Sequence, residues 1–261
     1  MTHQLKATIQ QRALVTPQCT LISRTPSGEV YLVSNGTDAH ITKIFRTGTS
    51  EAKLGEMLVG KPGVIQQLGC RIDGDTTIVT LEYYPNGDLF NIIQNEPFEE
   101  KQALDVCLQI AIGLFSVHSV GFYHRDISLE NILQSEENKY VLADFGLAAS
   151  VDDEKGLQKC VGKPTYIAPE IVEKSPYTAK SDIYSLGACL FMMITGFAPF
   201  KVASKSDDAY EVFAEYGMKT LLKVYQIASI SDATVELLGN MMNPNPEDRI
   251  SLADLLDRLK K

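Results

Sequence analysis

The strongest constraint on this 261-residue chain is a set of three short strings that follow one another in a fixed order. His124-Arg125-Asp126 comes first, with Asn131 five residues after the aspartate, and Asp144-Phe145-Gly146 and Ala168-Pro169-Glu170 follow. Each string alone is short enough to arise by chance. Their order and separations together are not, so any fold assigned to the chain has to account for all three.

The three strings resemble the catalytic loop, the metal-binding loop and the end of the activation segment of eukaryotic protein kinases. The resemblance extends over essentially the whole chain, residues 1–261. It implies an α+β, bilobal fold in which residues 1–84 form a small β-rich N-terminal lobe with the ATP-binding strands and residues 85–261 form a larger helical lobe. It also implies phosphoryl transfer from ATP, with Mg²⁺, to Ser or Thr hydroxyls of a protein substrate.

Residue patterns along the chain agree with this division. Short β-rich runs bounded by turn residues predict strands at residues 19–23, 29–34, 40–45, 64–68 and 76–83. After Pro85-Asn86-Gly87 the apolar spacing becomes helical, which predicts helices at residues 101–120, 181–195, 209–228, 233–242 and 251–260. In the first of these helices, Leu114 and Phe115 fall on the predicted buried face.

The resemblance assigns roles to single residues. Asp126 occupies the position of the carboxylate that accepts or orients the proton of the substrate hydroxyl. Asn131 and Asp144 supply hard oxygen ligands for the Mg²⁺ on the ATP phosphates. Lys43 matches the strand lysine that grips the α- and β-phosphates. Its ion-pair partner is Glu51, which follows it so closely that the helix carrying it is expected to begin late; Glu56 is the alternative.

A further set of residues matches the family's nucleotide contacts, with Leu81 at the gatekeeper position of the hinge. The other members of the set are Ile22, Gly28, Val30, Ile41, Lys43, Glu82, Tyr84, Asp88 and Leu133. The glycine-rich loop departs from the family pattern, since only Gly28 of its three glycines is kept and Pro26 removes a backbone amide. We expect ATP to bind more weakly there or in a different arrangement.

Two other departures look linked. Kinases of the Ser/Thr type usually have a lysine two residues after the catalytic aspartate, where this chain has Ser128. They usually have a threonine after the glycine of the activation segment, where this chain has Lys163. We hypothesise that Lys163 supplies the cation that the catalytic loop lacks, with Ser128 as its hydroxyl partner. The alternative is two independent losses and a crippled enzyme.

The resemblance also predicts two structural supports and a regulatory difference. Glu170 and Arg249 match a buried ion pair that anchors the activation segment, and Asp182 matches the residue that braces the backbone of the catalytic loop. In the family, an arginine at the position of Arg125 docks a phosphate of the activation loop. The usual phosphorylated position is Lys159 in this chain, so activation is expected not to need phosphorylation there.

Charge gives a weaker indication about partners. The resemblance places Glu130 and Asp88 near the peptide groove, and in the family carboxylates at such positions favour arginine before the phosphorylated residue. The formal net charge of −9 adds long-range attraction to basic peptides and argues against nucleic acid or a membrane as partner. Five widely spaced cysteines predict free thiols in a reducing compartment, and therefore an intracellular, cytoplasmic location, with the nucleus left open. The oligomeric state is left open.

The sequence therefore predicts a Ser/Thr protein kinase that uses ATP and Mg²⁺. The alternative is a pseudokinase that binds nucleotide or serves as a scaffold without useful turnover. The degenerate glycine-rich loop and Ser128 favour the alternative, whereas the intact catalytic and metal-binding residues favour the enzyme. A small-molecule kinase is a more distant reading, because Ala168-Pro169-Glu170 and Arg249 are features of protein kinases.

Overall fold

Two compact units make up the computed structural model, which describes residues 17–25, 28–36, 38–46, 50–135 and 137–260. The sheet unit contains the described residues up to 46 together with Gln67–Tyr83. The helical unit contains residues 50–66 and 84–260. A sheet and a mainly helical region in one chain confirm the predicted α+β class.

The sheet unit is one antiparallel sheet with the strand order β1-β2-β3-β5-β4. Its strands are β1 (Gln18–Thr25), β2 (Gly28–Ser34), β3 (Ala39–Arg46), β4 (Gln67–Asp73) and β5 (Thr76–Glu82). The three inner strands are rich in β-branched and aromatic residues, which pack well on a pleated surface. Gly74, with a φ of 57°, turns β4 into β5 because glycine adopts this left-handed conformation without steric cost.

The strand predicted at residues 64–68 is wrong. Val64 and Ile65 belong to the helical unit, where Val64 forms an isolated bridge with Leu142 and the Ile65 N–H donates to the Leu142 carbonyl at 2.9 Å. Their apolar character reflects burial in that unit, where they are 2% and 4% exposed. The actual strand, Gln67–Asp73, is a mostly exposed edge strand with several polar residues, so hydrophobicity pointed to the wrong segment.

The helical unit is built around long apolar helices. Its described helices are α1 (Glu51–Met57), α2 (Leu89–Ile93), α3 (Glu100–Ser119), α4 (Glu154–Leu157), α5 (Pro169–Val172), α6 (Ala179–Thr195), α7 (Asp208–Tyr216), α8 (Met218–Val224), α9 (Asp232–Met241) and α10 (Leu252–Leu259). Short 3₁₀ turns lie at Leu129–Asn131 and Pro246–Asp248. Two small antiparallel pairs complete it: β6 (Phe122–Tyr123) with β9 (Ala149–Ser150), and β7 (Ile132–Gln134) with β8 (Tyr140–Leu142).

Helix α3 packs against α6, α10 and β8 and forms much of the core. Leu114 is fully buried as predicted, but the prediction for Phe115 is wrong, since its side chain is 53% exposed. The buried stripe runs through Cys107, Ile110, Leu114 and Val117 at helical spacing, and Phe115 lies one residue beyond its edge. By length and composition this helix would also suffice to cross a membrane, yet half of its apolar window is buried in the protein.

Helix α6 has clear stop and start signals. Thr178 and Ser181 form a capping box at its N-terminus, and Gly196 ends it with a φ of 79°.

The single helix predicted at residues 209–228 is wrong, because Gly217 adopts a φ of 80° and divides the segment into α7 and α8. Apolar spacing alone continued through this glycine, and its backbone conformation was the missing signal.

Candidate active site

Asp182, near the start of α6, binds the backbone of the loop that follows β6. Its carboxylate accepts hydrogen bonds from the backbone N–H groups of His124 at 3.0 Å and Arg125 at 2.9 Å. It also accepts from His118 Nε2 at 2.8 Å and from the Tyr177 hydroxyl at 2.9 Å. Burial opposes its ionisation, but these bonds outweigh burial and lower the pKa of Asp182. The predicted brace on the catalytic-loop backbone is confirmed.

Asp126 is oriented by its neighbours in the same loop. Asn131 Nδ2 donates to Asp126 Oδ2 and to the Asp126 carbonyl, both at 2.8 Å. Among the described residues, the other carboxylate oxygen, Oδ1, is buried and has no hydrogen-bond partner. Burial raises the pKa of Asp126, while the charge of Lys163 and the bond from Asn131 oppose the rise. A buried, oriented carboxylate with one unused oxygen is suited to accept a proton.

Asn131 and Asp144 are the two predicted metal ligands. Because Asn131 turns its amide N–H groups toward Asp126, its amide oxygen points away from that residue. Asp144 follows β8 with a φ of 59°, and its charge also raises the pKa of Asp126. Within the described residues no three His, Cys, Asp or Glu side chains cluster as a metal cage. Two protein ligands suit Mg²⁺, which commonly takes its remaining ligands from phosphates and water.

Lys163 and Ser128 are in contact. Lys163 Nζ donates to Ser128 Oγ at 2.6 Å, and Ser128 is completely buried. Gly162 brings the activation segment to the catalytic loop: a Cβ at that position would lie 2.9 Å from the Arg125 carbonyl, and its φ is 94°. Of the charged groups acting on the pKa of Asp126, Lys163 has the largest effect. The two exchanged residues thus meet beside this carboxylate.

Glu130 extends this cluster. Its Oε2 accepts from the Tyr166 hydroxyl at 3.0 Å, and its Oε1 lies 3.5 Å from Lys163 Nζ. Tyr166 is 4% exposed, and burial raises the pKa of its hydroxyl far above the usual range, so the hydroxyl remains a donor. Sequence reasoning assigned no role to Tyr166, although it lies two residues before Ala168-Pro169-Glu170.

The far end of the activation segment carries a buried ion pair, as predicted. Arg249 Nη1 and Nη2 donate to the two oxygens of Glu170 at 2.9 and 3.0 Å. Ser181 Oγ donates to Glu170 at 2.8 Å, and Arg249 also donates to the Lys180 carbonyl at 2.7 Å. The Arg249 guanidinium lies 5.0 Å from the ring centroid of Tyr184. Two charges that are almost fully buried are therefore paired and hydrogen-bonded.

Arg125 contacts the middle of the activation segment. Its Nη2 donates to the Lys159 carbonyl at 3.1 Å, and its guanidinium lies 5.6 Å from the ring centroid of Tyr177. The Tyr177 N–H in turn donates to the Leu157 carbonyl at 2.9 Å. Asp153 caps α4 by accepting from the Gly156 N–H at 2.9 Å. Sequence reasoning missed Tyr177, for which the motifs offered no signal.

In the sheet unit, β3 is an inner strand that brings Lys43 beside predicted nucleotide contacts. Lys43 pairs with Val30 of β2 and with Val79 of β5. Ile41, two residues before Lys43, pairs with Leu81. Residues directly opposite one another share a face, as do residues two apart on a strand. Val30, Ile41, Lys43 and Leu81 therefore lie on one face of the sheet.

The remaining predicted nucleotide residues of the sheet unit lie elsewhere on it. Ile22 sits at a bulge in β1 and is 55% exposed, and Glu82 ends β5 opposite His40, on the face away from Leu81. Gly28 begins β2, where a Cβ would lie 2.4 Å from the Ile44 carbonyl oxygen. Strand packing is thus sufficient reason for this glycine. Pro26 lies outside the described residues.

The helical unit holds the other predicted nucleotide residues. Asp88 caps α2, accepting from the Asn91 N–H at 2.9 Å and from Asn91 Nδ2 at 2.7 Å. It also forms an isolated bridge with Leu133. Tyr84 begins the turn before it, its carbonyl accepting from the Gly87 N–H at 3.2 Å. The loop and α2 therefore hold Asp88 near Leu133.

The two candidate partners of Lys43 differ in burial. Helix α1 begins at Glu51, as the short spacing predicted, and this residue is 9% exposed. Leu54 in α1 and Leu58, which caps its C-terminus, are fully buried. Glu56 is exposed. A buried carboxylate needs a hydrogen-bonding or charged partner, whereas an exposed one does not.

Comparison with known proteins extends the sequence argument. The family model described as "Protein kinase domain" matches residues 29–259. Serine/threonine-protein kinase PLK4 of Xenopus tropicalis is 32% identical over 201 residues, which is 75% of this chain and 20% of the relative. PLK4 of Nematostella vectensis is 33% identical over 201 residues, with the same coverage of 75% and 20%.

A third relative carries a different name. The Saccharomyces cerevisiae protein named probable serine/threonine-protein kinase KCC4 is 32% identical over 208 residues, 78% of this chain and 20% of the relative. The chain therefore spans about one fifth of the length of these three relatives. The aligned portion includes most of this chain.

Proposed function

The chain belongs to the protein kinase domain family, and from this premise we propose that it transfers the γ-phosphoryl group of Mg-ATP to Ser or Thr hydroxyls of proteins. The observation that carries the proposal is the contact of Lys163 Nζ with Ser128 Oγ at 2.6 Å, beside the oriented carboxylate of Asp126. The printed names of the relatives support the Ser/Thr class.

Asp126 is the proposed base. It takes the proton of the substrate hydroxyl as the new bond between that oxygen and phosphorus forms and the bond from phosphorus to the leaving ADP oxygen breaks. Burial raises its pKa, which makes its carboxylate a better proton acceptor than an exposed aspartate. The bonds from Asn131 fix the carboxylate, so its buried Oδ1 remains for the substrate.

The donor set fits Mg²⁺. The amide oxygen of Asn131 and the carboxylate of Asp144 are hard ligands, and Mg²⁺ commonly takes its remaining ligands from phosphate oxygens and water. When bound, Mg²⁺ would neutralise charge on the phosphates. Asp144 is fixed by accepting from the Gly146 N–H at 3.1 Å.

Lys163 is the proposed replacement for the usual lysine of the catalytic loop. Its ammonium can neutralise charge that develops on the transferred phosphoryl group, and Ser128 fixes its direction. This arrangement preserves the cation while moving its source to the activation segment. Lys163 therefore also makes the charge of the site depend on the position of that segment.

Lys43 is proposed to hold the α- and β-phosphates, with Glu51 as its partner. The inner position of β3 and the shared face with Val30, Ile41 and Leu81 support the first assignment. The burial of Glu51 and the exposure of Glu56 support the second.

The test is transfer of labelled phosphate from ATP, with Mg²⁺, to Ser-containing peptides, with Asp144→Asn as the matched control. Transfer by the parent but not by the control is the expected result. Silence of both proteins, while Mg-ATP still raises the melting temperature of the parent, would instead support the pseudokinase. Nucleotide binding and turnover are thus separated in one series.

We also propose that the protein is active without phosphorylation at the position of Lys159 in the activation segment. Arg125 donates to the backbone carbonyl of Lys159, a contact that needs no phosphate. We expect phosphatase-treated protein to keep its transfer rate. A rate that falls after treatment and recovers on rephosphorylation would contradict this and direct attention to Ser150 or Thr165.

A further inference from the structure

We propose that Glu130 positions Lys163 and does not select a basic residue in the substrate. This inference rests on the proposed function, since it concerns how the same site treats its peptide. It changes the expectation from sequence, in which Glu130 and Asp88 together favour arginine near the phosphorylated residue. The reason lies in what these two carboxylates already contact.

Both oxygens of Glu130 have partners within the protein. Oε2 accepts from the Tyr166 hydroxyl at 3.0 Å, and Oε1 lies 3.5 Å from Lys163 Nζ. Asp88 accepts two hydrogen bonds from Asn91 at the start of α2. Neither carboxylate is therefore poised solely for a substrate guanidinium.

Charge compensation reduces the selectivity available from Glu130. A substrate arginine would have to displace Lys163 or share the carboxylate with it, exchanging one cation for another instead of neutralising an open charge. The Tyr166 hydroxyl, donated from a buried ring, holds the other oxygen. Attraction to basic peptides would then come from the net charge of −9, an effect that is long-range, salt-sensitive and indifferent to position.

The same contacts give Glu130 a different role. Lysine has a flexible four-carbon stem and loses considerable rotamer freedom when its ammonium is fixed. Ser128 holds the Lys163 ammonium at 2.6 Å, and Glu130 provides a second point of attachment at 3.5 Å. Glu130 lies in the 3₁₀ turn Leu129–Asn131, so the turn that carries a metal ligand also tethers the cation.

Glu130→Gln separates the two roles, with Glu137→Gln as a matched control that removes an exposed carboxylate paired with Lys139. Peptides with one arginine at successive positions before the serine are compared with neutral peptides at physiological salt. We expect Glu130→Gln to lower kcat by about two- to fivefold for every peptide, with KM and the ratio between peptides unchanged. Loss of preference for arginine at one position, with kcat on neutral peptides unchanged, would overturn the proposal.

A second readout does not depend on turnover. Acylation of Lys163 by an amine-reactive reagent is followed by mass spectrometry, with the exposed Lys101 as internal reference. Glu130→Gln should raise the relative rate at Lys163 severalfold, whereas Glu137→Gln should not. An unchanged rate in Glu130→Gln would refute the tether. Absence of phosphate transfer by the parent would refute the proposed function alone and leave this measurement intact.

Discussion

The segment from residue 163 to residue 170 has an ion pair at each end: Lys163 with Glu130, and Glu170 with Arg249. The two pairs differ in burial and in the distance between their charged atoms. The side chains of Arg249 and Glu170 are 0% and 10% exposed and meet through two hydrogen bonds. Those of Lys163 and Glu130 are 38% and 35% exposed and lie 3.5 Å apart. The first pair is shielded from water, and the second is not.

The buried pair is suited to anchoring the activation segment, whereas the exposed pair is suited to placing a positive charge beside Asp126. A buried pair contributes through geometry, and removal of one partner leaves an uncompensated charge in the interior. An exposed pair adds little to folding because water screens it. In the proposed mechanism its ammonium still stabilises the charge that develops on the transferred phosphoryl group.

Breaking the buried pair should produce the largest effect. Arg249→Met leaves Glu170 buried without its partner, so we expect the free energy of unfolding to fall by about 3–5 kcal/mol. Urea denaturation measures this change. Arg258→Met is the matched control, since it removes a partly exposed arginine paired with Glu236, and it should cost about 0–1 kcal/mol. Equal losses in the two variants would contradict the contrast.

Breaking the exposed pair should affect chemistry and spare folding. Lys163→Met should lower kcat by about 10²–10³-fold, the usual effect of losing one group aligned with developing charge. Its free energy of unfolding should change by less than about 1 kcal/mol. Lys139→Met, which removes an exposed lysine, serves as control for both quantities. A variant that keeps its kcat would remove Lys163 from the mechanism.

The smallest expected effect is on the thermal stability of an Asp126 variant. Burial raises its pKa in the folded state, so protonation favours folding, and stability is lost as pH rises from the unfolded value of about 3.9 through the folded pKa. Asp126→Asn should therefore melt slightly above the parent at pH 7, and the difference should shrink as the pH is lowered toward 4. Thermal melts across this range measure it; a variant less stable than the parent at pH 7 would contradict the assignment.

The comparison also shows what could be learned from sequence. The motifs predicted the α+β class, the Glu170–Arg249 pair and the brace from Asp182, because these contacts belong to the scaffold that the motifs specify. They could not locate β4, whose exposed edge carries little hydrophobic signal. They also gave no indication that the Tyr166 hydroxyl donates to Glu130, because a hydrogen bond between separate segments leaves no local pattern in the sequence.

The contact between Ser128 and Lys163 had a sequence signal of another kind. Two departures from the family pattern, taken together, predicted that the exchanged side chains meet, and their atoms lie 2.6 Å apart. Whether one departure compensates for another depends on whether the two residues lie close together in the folded chain. Individual motifs therefore predicted the residues that support the site, whereas the position of the proposed cation was predicted only by taking Ser128 and Lys163 together.

The most direct measurement is the phosphate-transfer rate of the double variant Ser128→Lys with Lys163→Thr, beside both single variants. If Lys163 supplies the missing cation, each single variant should lose activity and the double variant should exceed the worse single variant by about tenfold, as expected for coupled neighbours. Thermal melts establish that each variant is folded, since Ser128 is fully buried and Ser128→Lys alone brings a second ammonium against Lys163. A double variant no more active than the worse single variant would contradict the exchange.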